Sequence, residues 1–588
     1  MRSPPTLILA TAAVALLVWT GVVLWREGVA AAGSLYLTTT TVVFLGIGDA
    51  ALRLVGARER SLGWLGLRYV VGFSLTAFLV TLLAFVGLGA GSAWVALALA
   101  CCGWAALCRD LVRRPSSRPV PSHLAGELLA GAVVLRLVVE GTGYWTIRGA
   151  TSYFTQYWDD LYHLAMVKDG LYRGLPLHGY ALETGVGRVA YHPAFDTMAT
   201  VFIGTLRLPV DAAFLRLVMP MLLLAVVVSV AVLAAAWGRS QLAGVLALGM
   251  IGLTVVGGRV YGIDTEAGLG ALRFFVTDPP AAMGCVGAAS CLALVALGDS
   301  DWTVVLAGVV AGATTLMATP IALVFGPAFV GTMLYRGWRR PAERRRLAAA
   351  ALAAVAAAGV SYPTTTGASD GLPAARLGGL GRHLLAWPDV STYSALLPRL
   401  VAPLRHRGLL GSEVFLLAFL LFGTLGWHLV VLLLAHWRGR RHNVRPFAAS
   451  QPITGLCVLL AGLAVLGGLG LGQAGKGPYA PWNIAIHTIS VLWWLGVAAA
   501  AVALAAALRT VARPRWLTTK HTWALVALVL VVLVVAALGG MARLRSSDGG
   551  HLPTAVRLLL QGVGHRVPAR AVIVQGFELE SQNWVSAL

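Results

Sequence analysis

Long apolar runs separated by short polar loops make up most of this chain. Three such runs lie near residues 34–52, 64–87 and 92–108, and others follow as far as about residue 541. An apolar run of about 20 residues is long enough to cross a bilayer as a helix. The pattern predicts an all-α polytopic membrane protein, a bundle of about 11–14 transmembrane helices.

The order of runs and loops predicts four parts. They are N-terminal transmembrane helices (1–140), an extracytoplasmic loop with an interfacial helix (141–200), a transmembrane core with outer loops at 257–280, 362–411 and 474–489 (201–541), and a small extracytoplasmic α/β tail (542–588). Within the tail, VPARAVIVQGFELE predicts a strand that follows a proline turn. The tail either packs on the outer loops or belongs to a longer chain of which this is a fragment.

Composition supports the membrane assignment and excludes a nucleic-acid partner. Hydrophobic residues make up 58% of the chain and charged residues 12%, against about 25% charged residues in soluble domains. The net charge of +21 comes from arginines in short loops beside apolar runs, as the positive-inside rule predicts for a multi-pass protein of the cell membrane. The six cysteines have no metal-ligand spacing, and they indicate no disulfide framework.

A polar island interrupts the apolar pattern between Tyr153 and Asp196. Its ionisable residues include Asp159, Asp160, His163, Asp169, Glu183, Arg188, His192 and Asp196. The spacing predicts a helix over Trp158–Gly174, which Gly170 or Gly174 would end. Leu161, Leu164, Ala165 and Leu171 would share one side of that helix, so we expect it to lie on the outer leaflet as an amphipathic helix.

The acidic pair at the start of this helix has two interpretations. Either aspartate lies within one helical turn of His163 and can reach its imidazole, so Asp160 or Asp159 could act as a general base. The same three side chains could hold a divalent cation such as Mg²⁺, Mn²⁺ or Ca²⁺. Alternatively, one aspartate only caps the helix and the other only complements its dipole.

The sequence Trp158-Asp159-Asp160-Leu161-Tyr162-His163, in a polar loop between apolar runs, resembles the acidic motif of the GT-C superfamily of membrane glycosyltransferases. The segments RGLPLHGYALETG and VAYHPAFD are similar to the connection into the next helix in that superfamily, and the tail HRVPARAVIVQGFELESQNW is similar to the ends of some members. The first four runs would then be an N-terminal addition. High Ala, Gly, Arg and Trp usage suits a GC-rich, actinobacterial genome.

The resemblance implies transfer of a sugar from a polyprenyl-phosphate donor, with inversion, to an envelope glycan or lipid acceptor on the extracytoplasmic face. Asp160, or otherwise Asp159, would be the base, assisted by His163. Arginines would bind the donor phosphate. The implied substrate-binding residues are Glu183, Arg188, His192, Asp196, Arg273, Asp278, Arg376 and Arg382. For the arginines an ordinary surface or headgroup contact stays open, as does helix capping for His192 and Asp278.

Three other functions remain open at this stage. A transporter or flippase of lipid-linked saccharides would use polar groups at membrane depth as a pathway. A ligase or polymerase of the O-antigen-ligase type would use arginine and histidine in the large loop 362–411. A membrane scaffold would use none of these residues in chemistry.

Overall fold

Apolar runs form helices wherever the structure describes them. The structure is a computed structural model, and it describes residues 30–57, 65–113, 151–155, 158–177, 193–256, 279–298, 300–365, 494–506 and 550–553. The helices are α1 (Ala30–Leu54), α2 (Leu65–Leu83), α3 (Ser92–Arg113), α4 (Trp158–Arg173), α5 (Pro193–Thr205), α6 (Val210–Ala213), α7 (Met219–Gly238), α8 (Gln241–Val256), α9 (Pro279–Leu297), α10 (Asp301–Met317), α11 (Thr319–Arg339), α12 (Arg344–Thr365) and α13 (Trp494–Ala506).

Four stretches of the described chain are long and apolar enough to cross a membrane. They are Leu35–Leu54, Leu65–Ala106, Met221–Gly238 and Pro279–Leu297. These stretches support the prediction of an all-α membrane protein. The total of 11–14 spans and the face that each loop occupies remain predictions, because they depend on residues outside the described ranges.

The 42-residue stretch Leu65–Ala106 bends near its middle. A π turn at Ala84–Leu88 and a 3₁₀ turn at Gly89–Gly91 separate α2 from α3. Gly87 has a φ of 98°, a conformation that glycine adopts without a steric penalty and that other residues rarely adopt. The break between the predicted apolar runs 64–87 and 92–108 therefore corresponds to a real change of backbone direction.

Glycine permits close approach between helices of the bundle. A Cβ built on Gly72 of α2 would lie closer than 3.0 Å to the carbonyl oxygen of Phe44 on α1. A Cβ on Gly308 of α10 would lie equally close to the carbonyl oxygen of Ala350 on α12. In lipid, small residues at such crossings allow the van der Waals contact that holds helices together.

Large apolar side chains are exposed on the outside of the bundle. Trp94 on α3 and Leu352, Val355 and Val360 on α12 are all exposed. Contiguous exposed apolar surface is unusual on a soluble monomer, whereas lipid-facing helices require it. The exposed surface therefore agrees with the membrane assignment that helix length alone supports.

Aromatic rings fix α5 in the interior. Phe202 of α5 meets Phe44 of α1 edge-on, with ring centroids 6.3 Å apart. Phe195 of α5 meets Phe214, in the π turn Phe214–Val218 before α7, at 5.8 Å. Residues 194–203 of α5 are all buried. These contacts hold Asp196, the neighbour of Phe195, inside the bundle.

A two-stranded antiparallel ladder joins β1 (Thr151–Thr155) to β2 (Gly550–Pro553), with Tyr153 opposite Leu552. The ladder places four residues of the tail beside the segment that precedes α4. The strand predicted within VPARAVIVQGFELE lies outside the described residues.

Candidate active site

The helix predicted at the polar island is present as α4, Trp158–Arg173. Of the two glycines that could end it, Gly174 does so. Its φ is 91°, and its N–H donates to the carbonyl oxygen of Gly170 at 3.0 Å. A glycine in the left-handed region just past the last helical residue is a common helix terminator.

The burial of α4 differs from the single apolar side that hydropathy predicts. Leu164 and Ala165 are buried as expected, but all five residues from His163 to Val167 are buried. Five consecutive helical residues point in every direction around the axis. Around these residues the helix is therefore enclosed by protein on more than its apolar side, and its place on the outer leaflet stays a prediction.

Part of the enclosure of α4 comes from parallel packing against α5. His163 contacts Asp196, and the Thr200 hydroxyl lies 3.5 Å from the carbonyl oxygen of Val167. A Cβ on Gly170 would meet the Thr200 side chain at 3.0 Å. The two helices thus advance in the same direction, with partners 33 residues apart. Because residues 178–192 separate them, no local sequence pattern predicts this register.

The principal polar contact of the site joins His163 to Asp196. The His163 Nδ1 lies 2.9 Å from Oδ1 and 3.1 Å from Oδ2 of Asp196. Both residues are only 3% exposed. The Phe195 ring meets the imidazole edge-on, with ring centroids 5.4 Å apart and an angle of 88° between the ring planes. Packing and hydrogen bonding therefore fix both the position and the plane of the imidazole.

Burial also changes the acidity of Asp196. At 13 residues, α5 is shorter than the roughly 20 that a span needs, and it is not among the four candidate spans. Desolvation raises the pKa of the Asp196 carboxyl, because a buried carboxylate loses its hydration. The nearby His163, through its charge and its hydrogen bond, acts in the opposite direction and only partly offsets this effect.

Positions 159 and 160 lie in the first turn of α4, one turn before His163 and on the same face of the helix. Because α4 begins at Trp158, both positions are inside the helix and neither is its N-cap. The backbone therefore does not support the capping interpretation. The interpretation that they complement the helix dipole is still compatible with it. The side chains of Asp159 and Asp160 lie outside the described part of the structure.

A second acidic residue of the polar island is paired near the end of α4. Asp169 is buried, and its Oδ1 lies 2.9 Å from the Nε of Arg173. The Arg173 side chain is 48% exposed. This pair joins a buried carboxylate to the surface of the protein one helical turn further along the chain.

The remaining predicted site residues fall outside the described ranges. They are Glu183, Arg188, His192, Arg273, Asp278, Arg376 and Arg382. The structure brings together His163 and Asp196, and it places Asp159 and Asp160 on the same helix as His163. The roles assigned to the other seven residues stay predictions.

The metal site predicted at Asp159, Asp160 and His163 stays a prediction. Among the side chains that the structure describes, no group of three or more His, Cys, Asp or Glu residues is placed to hold a metal ion. That finding covers His163 but not the side chains of Asp159 and Asp160, which lie outside the described part of the structure. A carboxylate on one nitrogen of a histidine is the arrangement that often orients a metal-ligating imidazole, and Asp196 supplies it.

Sequence reasoning missed a third buried acidic residue, Asp49 on α1. Its Oδ2 lies 2.5 Å from the Nε of Arg53, and its Oδ1 lies 3.2 Å from the Nε of Arg68 on α2. A signal was present, because Asp49 is the one carboxylate in its apolar run and Arg53 follows at the i+4 position. An acidic residue inside such a run usually has a basic partner.

The chain matches no protein-family model and no curated protein sequence. The described fold and contacts define a class, a helical membrane protein with a buried histidine–carboxylate pair. A more specific function has to be argued from that site.

Proposed function

We propose that the chain is a membrane glycosyltransferase that moves a sugar from a polyprenyl-phosphate donor to an envelope glycan or lipid acceptor. The observation that carries this proposal is the buried contact of His163 with both oxygens of Asp196, one helical turn from two successive aspartates. Ionisable groups inside a membrane bundle are costly, and they usually serve function. Their concentration on α4 and α5 supports a reaction centre between these helices.

The proposed step is a direct displacement at the anomeric carbon of the donor sugar. The acceptor hydroxyl oxygen forms the new bond to that carbon while Asp160, or otherwise Asp159, takes the hydroxyl proton. The bond from the carbon to the phosphate oxygen breaks on the opposite face, and polyprenyl phosphate leaves with the electron pair. The configuration at the anomeric carbon is therefore inverted.

We assign His163 and Asp196 to positioning. An imidazole three or four residues after the base is within reach of its carboxylate. Asp196 orients that imidazole through its contact with Nδ1. The initial prediction gave Asp196 a substrate contact, but a buried carboxylate with both oxygens on His163 suits an orienting role better.

Contacts to the donor and the acceptor are proposed for the other predicted residues of the outer loops. Arg188, Arg273, Arg376 and Arg382 would bind phosphate, and Glu183, His192 and Asp278 would contact sugar hydroxyls. A divalent cation held by Asp159, Asp160 and His163 would neutralise the leaving phosphate. Loss of transfer with EDTA, restored by Mg²⁺, Mn²⁺ or Ca²⁺, tests that cation.

Conservative substitution of the acidic pair tests the function. We expect Asp159→Asn or Asp160→Asn to lower transfer from a panel of polyprenyl-phosphate hexoses and pentoses by about 10²–10⁴-fold, the usual contribution of a general base. Asp301→Asn, the same change at an exposed position on α10, is the matched control. If both site variants are folded and as active as the wild type, the base assignment is wrong.

Transport of a lipid-linked saccharide is the second candidate. The observation that favours it is the burial of the His163–Asp196 pair, because buried ionisable pairs in bundles also mark substrate or proton pathways. Proteoliposomes loaded with a lipid-linked saccharide separate the two functions. A transporter moves the lipid across the bilayer without forming a glycosidic bond, whereas the proposed enzyme forms one.

A further inference from the structure

Arginine is concentrated where α11 turns into α12. Six arginines lie within residues 336–346, namely Arg336, Arg339, Arg340, Arg344, Arg345 and Arg346. The turn is a 3₁₀ segment, Pro341–Glu343, so these arginines are held at one end of the helix pair. Together with the aromatic residues described below, they form a surface that we call the arginine–aromatic patch.

Two carboxylates neutralise only part of this charge. Glu343 lies 2.9 Å from Arg346, 3.3 Å from Arg340 and 3.8 Å from Arg336. The second carboxylate, Asp301, begins α10 and lies 3.4 Å from Arg346. Within the described residues, neither carboxylate is within ion-pair distance of Arg339, Arg344 or Arg345. The patch therefore keeps an excess of positive charge.

This excess is persistent near neutral pH. The hydrogen bond from Arg346 to Glu343 and the surrounding positive charge lower the pKa of the Glu343 carboxyl, so it stays ionised. Guanidinium groups do not lose their proton in proteins. Because the arginines stay positive and Glu343 stays negative, any anion that binds here binds over the whole physiological pH range.

Exposed aromatic side chains border the arginines. Trp338 is 69% exposed and Trp302 is 67% exposed. The Arg339 guanidinium lies 5.7 Å from the ring centroid of Tyr335 and 5.8 Å from that of Trp338, and its Nε donates to the Tyr335 hydroxyl at 3.1 Å. Tryptophan and tyrosine with arginine at helix ends are typical of the depth where lipid headgroups meet water.

We propose that the arginine–aromatic patch is a binding site for the phosphate headgroups of anionic phospholipids in the adjoining leaflet. A guanidinium fork matches two phosphate oxygens, and stacking on Trp338 and Tyr335 already orients Arg339 for this purpose. The lipid tails would lie along the exposed apolar surface of α12. This inference is independent of the proposed glycosyltransferase activity.

The site also has a structural consequence. The contact of Asp301 with Arg346 joins the start of α10 to the start of α12, and Arg336 at the end of α11 faces Glu343. A headgroup bound across these arginines would bridge three helix ends. Anionic lipid should therefore stabilise the folded protein, because a ligand that binds only the native state raises its stability.

Thermal unfolding of the full-length protein in nanodiscs tests the site. We expect the wild type to unfold several degrees higher in discs that contain phosphatidylglycerol than in discs of phosphatidylcholine alone. The double variant Arg339→Gln/Arg345→Gln should lose at least half of this shift. The matched control, Arg173→Gln/Arg207→Gln, removes two exposed arginines from α4 and from the end of α5 and should keep the full shift.

Two further measurements keep the test decisive. Thermal unfolding of each variant in phosphatidylcholine discs shows whether the variant folds. Native mass spectrometry in detergent counts the phosphatidylglycerol molecules that the protein retains. This number should fall at least twofold in the patch variant. A full shift in the patch variant, or no shift in the wild type, overturns the proposal. So does a shift produced by polyprenyl phosphate but not by phosphatidylglycerol.

Discussion

Two buried carboxylates, Asp49 and Asp196, have partners of different chemistry. Asp49 lies between the guanidinium groups of Arg53 and Arg68, at 2.5 and 3.2 Å. Asp196 lies against the imidazole of His163 at 2.9 Å. A guanidinium keeps its proton at any pH that the fold survives, whereas histidine is the side chain that changes charge near neutral pH.

The difference teaches that burial of a charge does not by itself identify a reaction centre. The Asp49 cluster joins α1 to α2, and its charge pattern suits a permanent clamp. The His163–Asp196 pair joins α4 to α5, but it also lies one turn from the acidic pair at positions 159 and 160. We therefore expect substitutions in the first cluster to affect stability and substitutions in the second to affect activity.

The largest effect on stability should come from Asp49→Ala. Removing one partner of a buried ion cluster typically costs about 3–5 kcal/mol, and Asp49 is the carboxylate that both guanidinium groups contact. Denaturation of the purified protein measures the free energy of unfolding, and the transfer rate per folded molecule should not change. Replacing all three residues with apolar ones, Asp49→Leu/Arg53→Leu/Arg68→Met, should recover much of the loss. A cost below about 1 kcal/mol for Asp49→Ala would show that the clamp contributes no more than a surface pair.

Asp196→Asn should reverse this pattern. The amide keeps the shape of the carboxyl and one acceptor oxygen, so we expect a stability loss of only about 1–3 kcal/mol. Transfer per folded molecule should fall by about 10²-fold, because the imidazole loses the carboxylate that orients it. A pH–rate profile distinguishes a positioning role, since its shape should change together with its height. An unchanged profile at a normal rate would contradict the assignment.

The pH dependence of stability should also separate the two clusters. Because burial raises the pKa of Asp196, the folded state binds this proton more tightly than the unfolded state does. The free energy of unfolding should therefore fall as pH rises from the ordinary pKa of an aspartate through the raised one. Thermal unfolding measured at pH values rising from about 4 should show this fall in the wild type, and a flatter profile in Asp196→Asn. A slope of equal size in both proteins would assign the proton to another group.

The smallest effect should come from Arg173→Gln. Its contact with Asp169 is partly exposed, and such pairs contribute about 1 kcal/mol or less. The variant should be nearly as stable as the wild type and transfer sugar at a similar rate. A loss of transfer comparable with that of Asp196→Asn would extend the site to the C-terminal end of α4.

Local features of the site follow from the sequence, and long-range ones do not. Helical spacing predicts the start of α4 and limits its end to Gly170 or Gly174, of which the structure shows Gly174. The partnership of His163 with Asp196 crosses 33 residues and depends on the parallel packing of α4 against α5. The enclosure of residues 163–167 was missed for the same reason, since hydropathy shows which residues avoid water but not which helix covers them. For Asp49 the i+4 arginine was visible, whereas Arg68 comes from the next helix.

The central claim is that the His163–Asp196 pair and the acidic pair of α4 act as one unit. A double-mutant cycle on residual transfer, with Asp160→Asn, Asp196→Asn and the combined variant in single-turnover reactions, tests it most directly. The account predicts that the combined variant is no slower than Asp160→Asn alone. Rate losses that multiply independently would contradict it.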